Sequence, residues 1–378
     1  MIALDIDHAE IERRKQLRRR LWAYQPVDHL PIAVWTNHSC GHTYRELYES
    51  LDVHLQVTAE RVRKSLALLP DDYIPFARLV RGPMTIATMF GADIAWTDDP
   101  NEAPSQDRLV INDMEEVYTL RRPTLADGIA PEHLRRIRQF AAELPPDVYL
   151  TGVFAGGPLQ AAGDLVATNN FYASPRENPA ALHHLLQMVT EVQIELFQAV
   201  AEAAGGLDRL TTLDFDPVWA PEQHKCILSD DISVGVGPRT FREFSIPYNN
   251  QLYREWGSGM LHVCGPQVAK RVYQEHSPRL KGINLAYEWS KDDLPALREI
   301  FAGWGMIEVN FDMVGERPEE MLTGYRHVME TLAPDVVAVP ICTVDEGWTD
   351  REITDFYWAM RKIGEEYAAN MRWQPADS

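Results

Sequence analysis

Short apolar segments of strand length alternate with longer stretches of helical pattern along this chain, and that alternation confines it to a parallel sheet covered by helices. Eight such segments can be counted: His29 to Trp35, Tyr73 to Val80, Val148 to Phe154, Leu210 to Phe215, Met260 to Cys264, Lys281 to Leu285, Met306 to Phe311 and Val336 to Cys342. Eight is the number that closes a barrel, so the expected fold is α/β, a single (β/α)8 TIM barrel over residues 1–378 with an N-terminal helical extension over 1–28. No fixed-period repeat or low-complexity linker divides the chain.

The helices between these segments carry start and stop signals. Thr240 with Glu243 and Thr349 with Glu352 fit capping boxes, and Ser290 with Asp293 is a weaker version. Asn178 and Pro179 open a long helix that Gly205 and Gly206 close. Residues 81–147 read as a long insertion on the catalytic face, with a Pro- and Asp-rich stretch from Asp98 to Asp107 and a helix from Ala130 to Leu144.

Charge excludes one class of partner. The formal net charge is -20, whereas nucleic-acid binding leans on clustered cations, so DNA and RNA are set aside. The N-terminus lacks the apolar core of a secretory signal, and no run of about 18 apolar residues offers a membrane span, so no membrane partner and a cytoplasmic location are expected. The basic run from Arg13 to Arg20 reads as a solvated helix face. Four cysteines, Cys40, Cys226, Cys264 and Cys342, are too few for a disulfide scaffold in 378 residues.

The informative pair is His262 and Cys264 in GMLHVCGP. Residues i and i+2 of a strand emerge on one side, here just before Gly265 and Pro266 turn the chain. Cys342, in DVVAVPICTVDEGW, ends another apolar strand. Parallel barrel strands bring their C-terminal ends to one face, where barrel enzymes do their chemistry. One nitrogen and two sulfurs suit Zn²⁺, with a fourth position open as in catalytic sites. The residues alone equally allow a hydrogen-bonded strand-end histidine and two buried thiols.

The run SDDISVGVGPRTFREFSIPYNNQLYREWGSGMLHVCG, Ser229 to Gly265, resembles the uroporphyrinogen decarboxylase superfamily, and within it the cobalamin-linked methyltransferases whose zinc ligands are a His-x-Cys and a distant Cys. FAGGPLQAAGDLV, Phe154 to Val166, is similar to the family's Gly-Pro segment after the third strand, and LPIAVW to its first strand. The resemblance implies a zinc-dependent methyltransferase with His262, Cys264 and Cys342 as metal ligands. It would move a methyl group between a small substrate and the cobalamin of a corrinoid protein. The substrate would be a methoxyarene undergoing O-demethylation, another methyl donor, or a thiol acceptor. The chain shows no cobalamin-binding domain of its own, which implies a separate corrinoid protein as partner. True decarboxylases have an Arg-bearing clamp after the first strand, where this chain reads WTNHSCGHTYREL; a metal-free lyase of decarboxylase type is the alternative. After Cys342 the sequence TVDEGWTDREI departs from the Pro-rich entry of the methyltransferases.

Further candidates sit near the expected strand ends. Glu288 is a candidate catalytic group or displaceable ligand, or else a loop cap. Asp214 and Asp216 alternate so as to face one side, as catalytic, second-sphere or substrate-binding carboxylates. Asn37 and His38, with His42 nearby, are pocket candidates. Trp289, with Trp35, Trp219 and Trp348, suits a flat substrate or simply packing. Asp230 and Asp231 are assigned to structure around the SDDIS loop. A homodimer is compatible with the sequence.

Overall fold

A computed structural model describes residues 2–36, 38–79, 84–214, 216–276, 279–311, 317–344 and 346–374. Ten strands are present among them: β1 Ala33–Thr36, β2 Phe76–Ala77, β3 Ile94–Ala95, β4 Ser105–Gln106, β5 Tyr149–Leu150, β6 Cys226–Ser229, β7 Gly259–Val263, β8 Leu280–Ala286, β9 Met306–Asn310 and β10 Val337–Val344. Six form one curled parallel sheet in the order β1-β10-β9-β8-β7-β6. β2 and β5 form a second parallel ladder, which a parallel bridge from Leu150 to Leu210 extends.

The expected eightfold ring is therefore met in part. The expected Leu210 to Phe215 strand ends outside the described residues, and within 210–214 only Leu210 makes a strand bridge: beyond it, Gly152 donates to Thr212 O, and Leu213 donates to Lys225 O at the foot of β6. Gly152 permits this approach, because a Cβ there would lie 1.8 Å from Leu213 O. Among the described residues no ladder joins β2 to β1. β6 is an additional strand that the apolar pattern did not reveal.

Which side chains face inward follows from the register. His262 pairs with Asn284, Asn284 with Glu308, and Glu308 with Val339. Laterally paired residues share a face, so these four form one layer. The intervening Leu261, Val263, Ile283, Leu285, Ile307 and Val309 face the other way and are fully buried in the main apolar core. Helices pack on the sheet, among them Pro318–Leu332 against β10, Ile246–Trp256 against β6 and Leu51–Leu68 against β1; the expected long helix Pro179–Ala204 ends on Gly205 at φ 90°, and Asp350–Asn370 starts with its Thr349/Glu352 capping box present. Thr240 caps nothing, because Pro238 already opens the helix Pro238–Phe244 behind Gly237.

The helix His8–Trp22, capped by Asp7, corrects the reading of the basic run. Arg14, Lys15 and Arg18 are buried. Arg14 donates to the carbonyls of Tyr73 and Pro70. The Lys15 ammonium lies 5.2 Å from the Tyr149 ring centroid and 5.3 Å from that of Trp219. Ile11 of the same helix packs with Ile74, Tyr149 and Trp219, so cationic heads and an apolar residue seal one end of the sheet's interior. Charged residues can be buried at helical spacing when carbonyls and rings receive them.

Candidate metal centre

β7 ends at Val263, and its last inward positions are His262 and, one residue beyond the strand, Cys264. The prediction that they emerge together holds: His262 Nε2 lies 3.0 Å from Cys264 Sγ. The third donor is Asp231, from the turn Asp231–Gly235 that follows β6. Its Oδ1 accepts the Cys264 backbone N–H at 2.6 Å and lies 3.7 Å from His262 Nε2. One donor atom from each of Asp231, His262 and Cys264 lies within 4.8 Å of the others. The β6–β7 register creates this meeting by setting Ser229 beside His262. Asp230 braces it, its backbone N–H bonding His262 O and its side chain accepting from Ser245 Oγ at 3.0 Å. Burial pushes the Asp230 carboxyl up to about 7.

Cys342 does not join them. It pairs with Val34 and stands three residues after Val339, which belongs to the His262 layer. Three steps along a strand end on the opposite face. The thiol is fully buried among the outer apolar residues, close enough to the phenol of Tyr325 to contribute to raising its pKa, chiefly a burial effect. Of the expected set His262, Cys264 and Cys342, the first two lie together with Asp231, and Cys342 is not one of that group.

Behind His262 lies a polar network. Nδ1 donates to Asn284 Oδ1 at 2.7 Å, and Asn310 Nδ2 donates to the same oxygen at 2.7 Å. Asn284 Nδ2 in turn donates to Glu308 Oε2 at 2.8 Å and to Asp216 Oδ2 at 3.1 Å. With Nδ1 as the protonated nitrogen, Nε2 presents its lone pair toward Cys264 and Asp231. Burial, and then the charge of Asp216, push the Glu308 carboxyl up to about 8. Arg18 reaches this region from the N-terminal helix, where Asp72, Glu308 and Asp216 are the carboxylates that favour its charge against burial.

The other candidates separate. Asp216 is a supporting group two bonds from His262, and its Oδ1 also accepts the Val218 N–H at 2.8 Å. Asp214 accepts from Ala155 N at 3.2 Å. Glu288 lies at the surface in an ion pair with Lys291 at 2.9 Å, and Trp289 beside it is exposed. His38 Nδ1 and Glu346 Oε1 are 3.2 Å apart, a contact between two largely solvent-facing groups. Asn37 falls outside the described residues. Sequence reasoning missed Asp231 as a donor and Asn284, Glu308 and Asn310 as support. Polar residues at alternate positions of apolar strands, in GINLA and IEVNF, were the available signal.

Nitrogen, sulfur and carboxylate oxygen on a half-buried surface form a donor set that Zn²⁺ accepts. The histidine is oriented through its other nitrogen, as metal-binding histidines ordinarily are. Among known proteins, the uroporphyrinogen decarboxylase (URO-D) family matches residues 21–220, a span that ends before Asp231. A solved structure described as a methyltransferase from Methanosarcina mazei superposes with a TM-score of 0.65 at 18% identity, covering 93% of this chain and 98% of that one. At that identity the likeness bears on the fold. No curated protein sequence matches the chain.

Proposed function

Since the chain belongs to the uroporphyrinogen decarboxylase family, whose match spans more than half of it, we propose that it is a zinc-dependent methyltransferase acting with a separate corrinoid protein. Its sheet is read as the greater part of a (β/α)8 barrel. The observation that carries the proposal is the convergence of Asp231, His262 and Cys264 within 4.8 Å on the inner face, where β7 ends. The methyltransferase of similar fold supports the reaction class.

Asp231, His262 and Cys264 would hold the ion. Bound there, zinc supplies Lewis acidity, lowering the pKa of a substrate thiol or polarising the heteroatom of a methyl donor. The chain's own residues prepare this chemistry. Asn284 fixes the imidazole so that Nε2 faces Cys264 and Asp231. Asp231 takes the Cys264 N–H, which sets the carboxylate and the thiol side by side before any ligand arrives. Three protein donors leave a position for substrate. The substrate class comprises methyl ethers and other methyl donors, or a thiol as acceptor, with the cobalamin brought by the partner.

Two measurements test the proposal. Protein purified without chelator is expected to carry about one zinc per chain, as three-donor catalytic sites do, and Asp231→Ala and Cys264→Ala are expected to lose it. Mixed with cob(I)alamin or methylcobalamin and a panel of methoxyarenes and thiols, the wild type is expected to change the cobalamin spectrum with one class. A fully folded, zinc-free wild type that leaves cobalamin untouched overturns the reading in favour of a metal-free lyase.

A further inference from the structure

Cys264 is gripped by its own chain three residues further on. Gln267 is fully buried, and its Nε2 donates to Val263 O at 3.0 Å and to Gly265 O at 2.9 Å, the carbonyls of the two residues that flank the cysteine. Tyr273 fixes which way the amide faces, its hydroxyl donating to Gln267 Oε1 at 2.8 Å. Ser290 Oγ adds a second bond to Gly265 O at 2.8 Å, and Asp293 Oδ2 accepts the Gln267 N–H at 2.7 Å. Peptide units are planar and turn only about φ and ψ, so holding the carbonyls on both sides of Cys264 sets the direction in which its thiol leaves the chain.

Asp231 is held from a different element. The turn that carries it lies against the helix Pro158–Leu165, so closely that a Cβ on Gly163 would lie 1.9 Å from Ile232 Cδ1. Gln160 of that helix accepts the Ile232 N–H on Oε1 at 2.8 Å. Its Nε2 donates to Asp164 Oδ1, one helical turn on, at 3.0 Å. Both bonds form in only one orientation of the amide, since one partner is a donor and the other an acceptor. The peptide next to Asp231 is thereby tied to a packed helix, as the peptides next to Cys264 are tied to a buried side chain.

We propose that Gln160 and Gln267 are positioning residues for the metal centre, so that, with Asn284 on His262, each of the three donors is held by one neutral carboxamide. The inference rests on the zinc reading of Asp231, His262 and Cys264. Neutrality matters here. An aspartate and a cysteine thiolate already balance the two charges of Zn²⁺; a carboxylate holder would compete as a ligand, and a lysine or arginine would repel the ion. An amide offers both a donor and an acceptor to the backbone without either effect. Donors locked in this way need no ordering when the ion arrives, which is how such supporting groups add to metal affinity.

The test is zinc titration of the metal-free full chain against a chromophoric chelator, with circular dichroism reporting whether each variant folds. Gln267→Met and Gln160→Met are each expected to bind zinc about ten-fold or more weakly. With Co²⁺ in place of zinc they are expected to show an altered visible spectrum, which a loss of stability alone leaves unchanged. Tyr273→Phe, which releases the Gln267 amide without removing it, is expected to weaken zinc to a smaller extent, and it decides for position 267 if Gln267→Met does not fold. Gln160→Glu combined with Asp164→Asn keeps the acceptor for Ile232, the bond between the two side chains and the net charge, and is expected to recover most of the affinity that Gln160→Met loses. Wild-type affinity in either folded Met variant, or a double exchange no better than Gln160→Met, overturns the proposal. A wild type that takes up no zinc overturns the metal reading instead. Hydrogen exchange of the metal-free chain then decides whether the amides hold these segments: it is expected to quicken at 231–235 in Gln160→Met and at 263–268 in Gln267→Met, and unchanged exchange overturns the proposal as well.

Discussion

His262 Nδ1 and Asn284 Oδ1 face each other at 2.7 Å across the β7–β8 ladder. That one bond selects the imidazole tautomer and aims Nε2 at Cys264 and Asp231.

Asn284→Ala is accordingly expected to keep all three donors and still bind zinc about 10–100-fold more weakly, the usual effect of removing a partner from a metal-bound histidine. Competition against a chromophoric chelator reads this directly. Unchanged affinity would mean that Asn284 does not orient the ring.

Cys342→Ala is expected to retain about one zinc per chain and to cost roughly 1–2 kcal/mol of stability, as trimming a buried side chain does. Cys264→Ala is expected to do the reverse, losing metal with little change in metal-free stability. Zinc content and denaturation midpoints of the pair decide between the two faces; loss of zinc in Cys342→Ala would restore it as a ligand.

The Glu308 carboxyl, at about 8 in the folded chain through burial and the Asp216 charge, compares with an ordinary 4.5. Between those values the folded state holds a proton that the unfolded state releases, so this group's contribution is present below pH 4.5 and is lost as pH rises toward 8. Glu308→Gln cannot release it. The stability of the variant relative to wild type is expected to rise between pH 5 and pH 8, measured by urea denaturation of the metal-free protein. A constant difference across that range would place the proton elsewhere.

Arg18→Leu removes a buried cation that faces Asp72, Glu308 and Asp216. It is expected to destabilise by about 3 kcal/mol, the scale for orphaning buried charges. The loss is expected to shrink in a Glu308→Gln background, because coupled sites are not additive. A fully additive double variant would sever the proposed link between the N-terminal helix and the site.

Much of the second half was legible from its pattern. The segments at Met260, Lys281, Met306 and Val336 lie within a residue or two of the strands that form, because each is a short, mainly apolar run buried on both faces. The His262/Cys264 pairing was legible for a local reason, two residues on one strand. Cys342 and Asp231 depend instead on how separate strands align, and register leaves no trace in a single strand's sequence. Asp231 enters only because β6 sets Ser229 beside His262. The basic helix misled for another reason: burial of Arg14 and Arg18 relies on carbonyls and carboxylates supplied by distant segments.

The wall of this sheet is one residue thick, so neighbouring letters of VAVPICTV serve opposite rooms. Val339 and Ile341 line the interior while Cys342 looks toward the helix that carries Tyr325. Sliding β10 by a single position would turn that thiol inward and withdraw the aliphatic side chains beside it. The difference between a nitrogen–sulfur–oxygen centre and one offered a second sulfur is thus a matter of alignment, with no change in composition.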